Sequence, residues 1–208
     1  MVAYARWCEE SGNFFRDQTI LQFGNEWNLI ANIVLLNPGS AEPKSDKIIN
    51  DFLVSKNLPY LEKPTFEQNY YEFKLDPLMR NLLNCFSKKY SGGVIKIYNL
   101  FNLKNSNSND AVNMLDSLDS KYLFNDNVNF LDAPVIFASG SINKDRLKDE
   151  LIKFYNCAKD NSKYYLAKTE NKSFGFKKVQ NIDDIFNAYH PSYTFSYGNS
   201  TVCENICE

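Results

Sequence analysis

The stretch Asn32-Ile33-Val34-Leu35-Leu36-Asn37-Pro38-Gly39-Ser40-Ala41 passes directly from an unbroken apolar run into a turn. A strand buried on both faces reads as a continuous apolar run rather than an alternating one. Asn-Pro-Gly is turn chemistry, because asparagine and glycine tolerate left-handed backbone angles and proline presets its own. The stretch therefore predicts a buried parallel strand with a loop at its carboxyl end. Three more short apolar runs, residues 94–98, 135–138 and 185–189, each lead into a polar or glycine-bearing loop. Alternating with helical patterns, they predict an α/β fold: a three-layer α/β/α sandwich around a central, mostly parallel four-stranded sheet. Loops leaving the carboxyl ends of such strands converge on one crevice, so motifs distant in sequence can face one ligand.

The connecting segments carry helix signals. Asp76-Pro77 offers an N-cap followed by proline at the first helical position, with Leu78, Leu82, Leu83 and Phe86 at helical spacing. Asn109 or Asp110 can cap a second helix with Val112, Leu115 and Leu118 on its apolar face. Leu147, Leu151, Phe154 and Ala158 make a third stripe. Residues 44–71 form a polar, irregular excursion containing Pro59 and Pro64, and residues 163–179 suggest an edge hairpin. A single domain over residues 1–208 is expected, since that length buries most of its apolar surface.

The 13 Tyr and 16 Phe can supply both core and stacking surfaces. No apolar run approaches the roughly 20 residues that cross a bilayer, and the acidic, Arg-containing start lacks a signal-peptide layout, so a cytoplasmic protein with no membrane partner is expected. The net charge of -2 argues against coating nucleic acid nonspecifically. A local basic face remains available at Lys88-Lys89, residues 144–148 or Lys177-Lys178. The five cysteines, Cys8, Cys85, Cys157, Cys203 and Cys207, include no CxxC pair and read as buried small hydrophobes; no metal and no cofactor is expected.

The only histidine, His190, opens His190-Pro191-Ser192. Together with the Asn37 loop it suits hydrolysis of an N-glycosidic bond, in which the sugar gains oxocarbenium character and the base leaves as an anion. Asn37 is placed to orient the attacking water, and a neutral His190 to donate a hydrogen bond to the oxygen of a departing pyrimidine. Asn99, at the end of Val94-Ile95-Lys96-Ile97-Tyr98-Asn99, offers an amide donor and acceptor to a base edge. Ser40 and Ser192 are candidates for phosphate contacts, Tyr71 and Phe73 for stacking on a flipped base, and Tyr193 and Phe195 for wedging into the gap it leaves. Asn-Pro-Gly is also a common turn, and lone histidines are often structural.

In order along the chain, these motifs resemble the uracil-DNA glycosylase superfamily. Asn37-Pro38-Gly39 is similar to the Asn-Pro-Gly form of its mismatch-specific branch, and His190-Pro191-Ser192 to the His-Pro-Ser motif of its main uracil branch. Asn99 resembles its base-reading asparagine, and residues 135–140 its later apolar strand ending in glycine. The set also resembles a bacterial and phage group near this superfamily. Two departures matter: Asn37 replaces the main branch's aspartate, and Gly39 replaces a tyrosine that crowds the C5 face of the base. The resemblance implies a monomeric DNA glycosylase excising a damaged, mismatched or C5-modified pyrimidine, such as a modified phage cytosine, in repair or antiviral defence. A non-catalytic DNA- or nucleotide-binding module and a hydrolase of free nucleosides are the alternatives.

Overall fold

The computed structural model describes residues 1–168 and 174–195. The chain opens with two long strands, β1 (Val2–Glu10) and β2 (Asn13–Phe23), paired antiparallel through a two-residue turn. Ser11 and Gly12 both take positive φ there, at 53° and 76°, as the tight hairpin turn with matching twist requires. β3 (Leu29–Leu35) follows, then β4 (Pro43–Ile48), the short helix α1 (Asn50–Ser55) and β5 (Asn69–Phe73). Next come α2 (Pro77–Phe86), β6 (Gly93–Asn99), α3 (Ser108–Met114), β7 (Val135–Phe137) and α4 (Asp145–Cys157). β8 (Lys163–Lys168), β9 (Phe174–Lys178), α5 (Ile182–Phe186) and α6 (Ser192–Phe195) complete the described chain.

All the strands join one nine-stranded sheet in the order β4-β5-β1-β2-β6-β3-β7-β8-β9. The pairs β3–β6, β3–β7 and β7–β8 are parallel, and the other five are antiparallel. This overturns the expected three-layer sandwich around a four-stranded, mostly parallel sheet: the sheet is mixed and mostly antiparallel. Two physical causes account for the difference. The first 23 residues hide a long hairpin behind buried charged side chains, Arg6 and Arg16 among them, which look solvated when read as sequence. The polar excursion also folds, its β4 and β5 extending the sheet beyond β1.

A second correction concerns residues 185–189, which form no strand. Asn181 accepts from the Asp183 amide, and Asp184 accepts from the amides of Gln180 and Asn181, so a capping box starts α5 instead. Ile182, Ile185 and Phe186 then fall at helical spacing, with Ile185 fully buried. The parallel neighbour of β7 is β8, which belongs to the β8–β9 hairpin.

Each face of the sheet carries its own core. α2 buries Met79, Leu82, Leu83 and Phe86 against Ala31, Ile33, Leu35, Ile95, Ile97, Ile136 and Ala138. On the opposite face, Ala111, Leu115, Leu147, Leu151, Phe154 and Ile185 pack on Val34, Tyr98, Val135 and Phe137. Fully burying one such side chain contributes roughly 1.5–3 kcal/mol. The Asp76 N-cap behaves as its sequence suggests, Oδ1 accepting from the Met79 amide at 2.7 Å. Cys8 and Cys157 are free thiols, whereas Cys85 is disulfide-bonded rather than a reduced core thiol; Cys203 and Cys207 lie outside the described residues.

Candidate functional site

The parallel strands β6, β3 and β7 end along one edge of the sheet, where the sequence motifs leave them. Successive strand residues alternate between faces, so Asn99, two residues beyond Ile97, lies on the α2 face. Asn99 is 3% exposed, and its Oδ1 has no hydrogen-bond partner. A buried amide oxygen without a donor costs about 1–3 kcal/mol, a penalty that a ligand N–H would relieve. Its backbone carbonyl accepts from Asn125 Nδ2 at 2.9 Å, which fixes the strand end.

His190 reaches the same edge by a different route. The amide of Tyr189 donates to the carbonyl of Leu166 in β8 at 2.8 Å, and the His190 Cβ lies 3.4 Å from where a Cβ on Gly140 would stand. That glycine, at φ 80°, lets the histidine loop approach the end of the β7 segment. The Ser192 amide donates to His190 Nδ1 at 3.3 Å, with the Ser192 hydroxyl 2.8 Å from the same atom. Nδ1 is therefore an acceptor, which leaves the ring proton on Nε2. Burial pushes the imidazole down to about 4, with Asp76 opposing it, so the ring is neutral at physiological pH.

Asn37 does not present its amide to this face. Its Nδ2 donates to the Asn105 carbonyl at 3.1 Å, and its Oδ1 accepts from the Ser108 hydroxyl at 2.9 Å, which turns it toward α3. Gly39 has φ 68° and nothing within 4 Å of a Cβ built on it, so the space beside the loop is open. Ser40 and Ser192 are exposed; Ser192 is already engaged with the imidazole. Tyr71 is half-buried against the α2 core, and Phe73 is fully buried with its ring edge-on to Trp7. Phe73 is thus a wall of the core rather than a free stacking surface. Tyr193 is exposed and edge-on to Tyr189, while the Phe195 side chain lies outside the described residues.

Two residues bear on these loops in ways their sequence positions do not show. Arg16 is 1% exposed and donates to the carbonyls of Pro38 and Ala41, pinning the Asn37 loop from below. Its guanidinium carbon lies 4.8 Å from the Phe73 ring centre and 5.3 Å from that of Trp7. Burial pulls Arg16 down to about 10, against the attraction of Asp76 and Glu42. Asp76 is the second residue: it bears electrostatically on both Arg16 and His190. Nothing in a one-dimensional pattern distinguishes a capping aspartate from one that faces a site.

The opposite face holds a cleft of about 430 Å³, lined by Arg6, Gln18, Glu62, Phe66, Tyr122 and Asn125 among others. Its floor is a β-bulge in β2, where Gln18 takes φ 46°. Arg6 there binds Asp17 through both carboxylate oxygens, at 2.8 and 2.6 Å, and Glu62 at 2.8 Å. Lys96 Nζ contacts Gln18 Oε1 at 3.1 Å and the Tyr60 carbonyl, and burial pulls it down to about 7. These charges satisfy one another, which marks the cluster as scaffolding. Among the described residues, no group of three His, Cys, Asp or Glu side chains is arranged to hold a metal, and no helix is long and apolar enough to cross a membrane. Comparisons with family models, curated proteins and solved structures find no match for the chain.

Proposed function

We propose that this protein is a DNA glycosylase that hydrolyses the N-glycosidic bond of a flipped-out damaged, mismatched or C5-modified pyrimidine, acting as a cytoplasmic monomer on DNA. The observation that carries the reading is the neutral imidazole of His190, held by Ser192 with its Nε2 proton available. A neutral donor of that kind stabilises charge developing on the base oxygen as the bond breaks. The unpaired Oδ1 of Asn99 supports base recognition, since it suits the N–H edge of a pyrimidine. Open space at Gly39 supports tolerance of a C5 substituent, including that of a modified phage cytosine.

The engaged amide of Asn37 favours one second reading, a DNA- or nucleotide-binding module without turnover, because no water-orienting group is then free in that loop. Oligonucleotides carrying uracil, mismatched thymine, hydroxymethylcytosine or glucosylated hydroxymethylcytosine, scored for abasic sites, separate the two. At least one should be cleaved, and His190→Ala should lower that rate by roughly 100-fold or more. Tight binding without cleavage of any of them would establish the binding module.

A further inference from the structure

The charges at the cleft on the second face satisfy one another, but two amides that line it do not find partners. Gln18 Oε1 accepts from Lys96 Nζ at 3.1 Å and from the Glu62 amide at 3.3 Å. Those donors fix the orientation of the carboxamide, and its Nε2 group makes no hydrogen bond among the described residues. Asn125 Nδ2 donates to the Asn99 carbonyl at 2.9 Å, which leaves its Oδ1 without a donor among the described residues. Gln18 is 4% exposed and Asn125 8%, and both line the cleft. A free donor and a free acceptor, each held by the other end of its own amide, thus border one space of about 430 Å³. That volume falls within the roughly 300–1,000 Å³ of small-molecule sites.

The walls are tied together. Glu67 accepts from Lys121 Nζ at 2.8 Å and from the Tyr122 hydroxyl, which joins the turn at residues 65–68 to the segment carrying Asn125. The turn is closed by the Gln68 amide on the Thr65 carbonyl at 3.3 Å and by the Thr65 hydroxyl on Gln68 Oε1 at 3.1 Å. Within it, Phe66 also lines the cleft yet stands wholly in solvent, an aromatic face open to a planar ligand. Arg6 and Lys121 already hold carboxylates, and Lys63 is balanced by Asp126 among the lining groups. The cleft therefore offers a phosphate no net positive charge.

We propose that this cleft is a second binding site, independent of the glycosylase reading, for an unphosphorylated nucleobase or nucleoside. The base stacks on Phe66, accepts from Gln18 Nε2–H and donates to Asn125 Oδ1.

Calorimetric titration of the full chain with adenosine, guanosine, cytidine and uridine, and with their monophosphates, tests this alongside thermal melting. At least one nucleoside should bind with a Kd of about 1 mM or tighter, and its monophosphate about tenfold more weakly. Phe66→Ala should weaken that binding about tenfold or more through lost stacking, and Phe66→Trp should keep it. Both should leave melting unchanged, because the ring is exposed. Gln18→Glu keeps the oxygen that Lys96 and the Glu62 amide use but removes the free N–H, so it should also weaken binding about tenfold. Should Gln18→Glu lower melting, Phe66→Ala decides alone. The proposal is overturned if no nucleoside binds at millimolar concentration, if Phe66→Ala leaves binding within about twofold, or if a monophosphate binds as tightly as its nucleoside. None of these results bears on the glycosylase reading, which excision from oligonucleotides decides.

Discussion

Lys96→Met tests the polar floor beneath the second face. The lysine is 4% exposed, its ammonium stacked 4.5 Å from the Tyr98 ring centre, and burial pulls it down to about 7 while Glu62 and Asp17 hold it up and Arg6 pushes it further down. In the unfolded chain lysine keeps its proton to about 10.4. Between those limits the unfolded state binds more protons than the folded one, so stability rises as pH rises. Each pH unit in that window contributes about 1.4 kcal/mol, so the gain from about pH 7 to about pH 9 is about 2 kcal/mol. Methionine keeps the packing over Tyr98 and has no proton to exchange. Urea unfolding of both proteins at the two pH values should therefore show the wild type gaining about 2 kcal/mol relative to the variant. Titration of Cys8 and the tyrosines is common to both proteins and cancels in the difference. Parallel dependence on pH in the two would refute a buried, proton-poor lysine.

Two further outcomes follow from the geometry. Gly39→Tyr fills the open space beside the loop, so it should abolish cleavage of C5-modified substrates while sparing uracil; the left-handed backbone at that position adds a stability cost of about 1–2 kcal/mol, seen in melting. Asn181→Ala removes half of the capping box that starts α5 and should cost about 1 kcal/mol in urea unfolding, with an accompanying loss of order in the following His190 loop.

What the sequence revealed and what it concealed have separate physical origins. β3, β6 and β7 were legible because strands covered on both sides cannot alternate, and α2 because Asp-Pro at its start is a strong local signal. The β1–β2 half was not, because Arg6, Arg16 and Asp17 mimic solvated positions until hydrogen-bond partners 11 to 57 residues away satisfy them. Residues 185–189 read as a strand because Ile185, Phe186, Ala188 and Tyr189 make a short apolar run, whereas Ile185 and Phe186 close α5. At the candidate site, Asn99, His190 and Gly39 stand out from motif order, because each follows an apolar run at a turn. The grip of Arg16 on the Pro38 and Ala41 carbonyls is invisible in the sequence because it depends on β2 and a loop meeting in the fold. The direction of the Asn37 amide depends on Ser108, a contact that only the fold creates.

The strand order also has a consequence for how the molecule is made. β4, β5, β1, β2, β6 and β3 are six consecutive positions of the sheet, and all of them come from the first 99 residues. A nascent chain emerging from the ribosome can thus lay down two thirds of its sheet before β7 is synthesised. The histidine follows every strand among the described residues, docking on β8 through Tyr189. Any chemistry that uses His190 at this edge consequently waits for β8 to be in place.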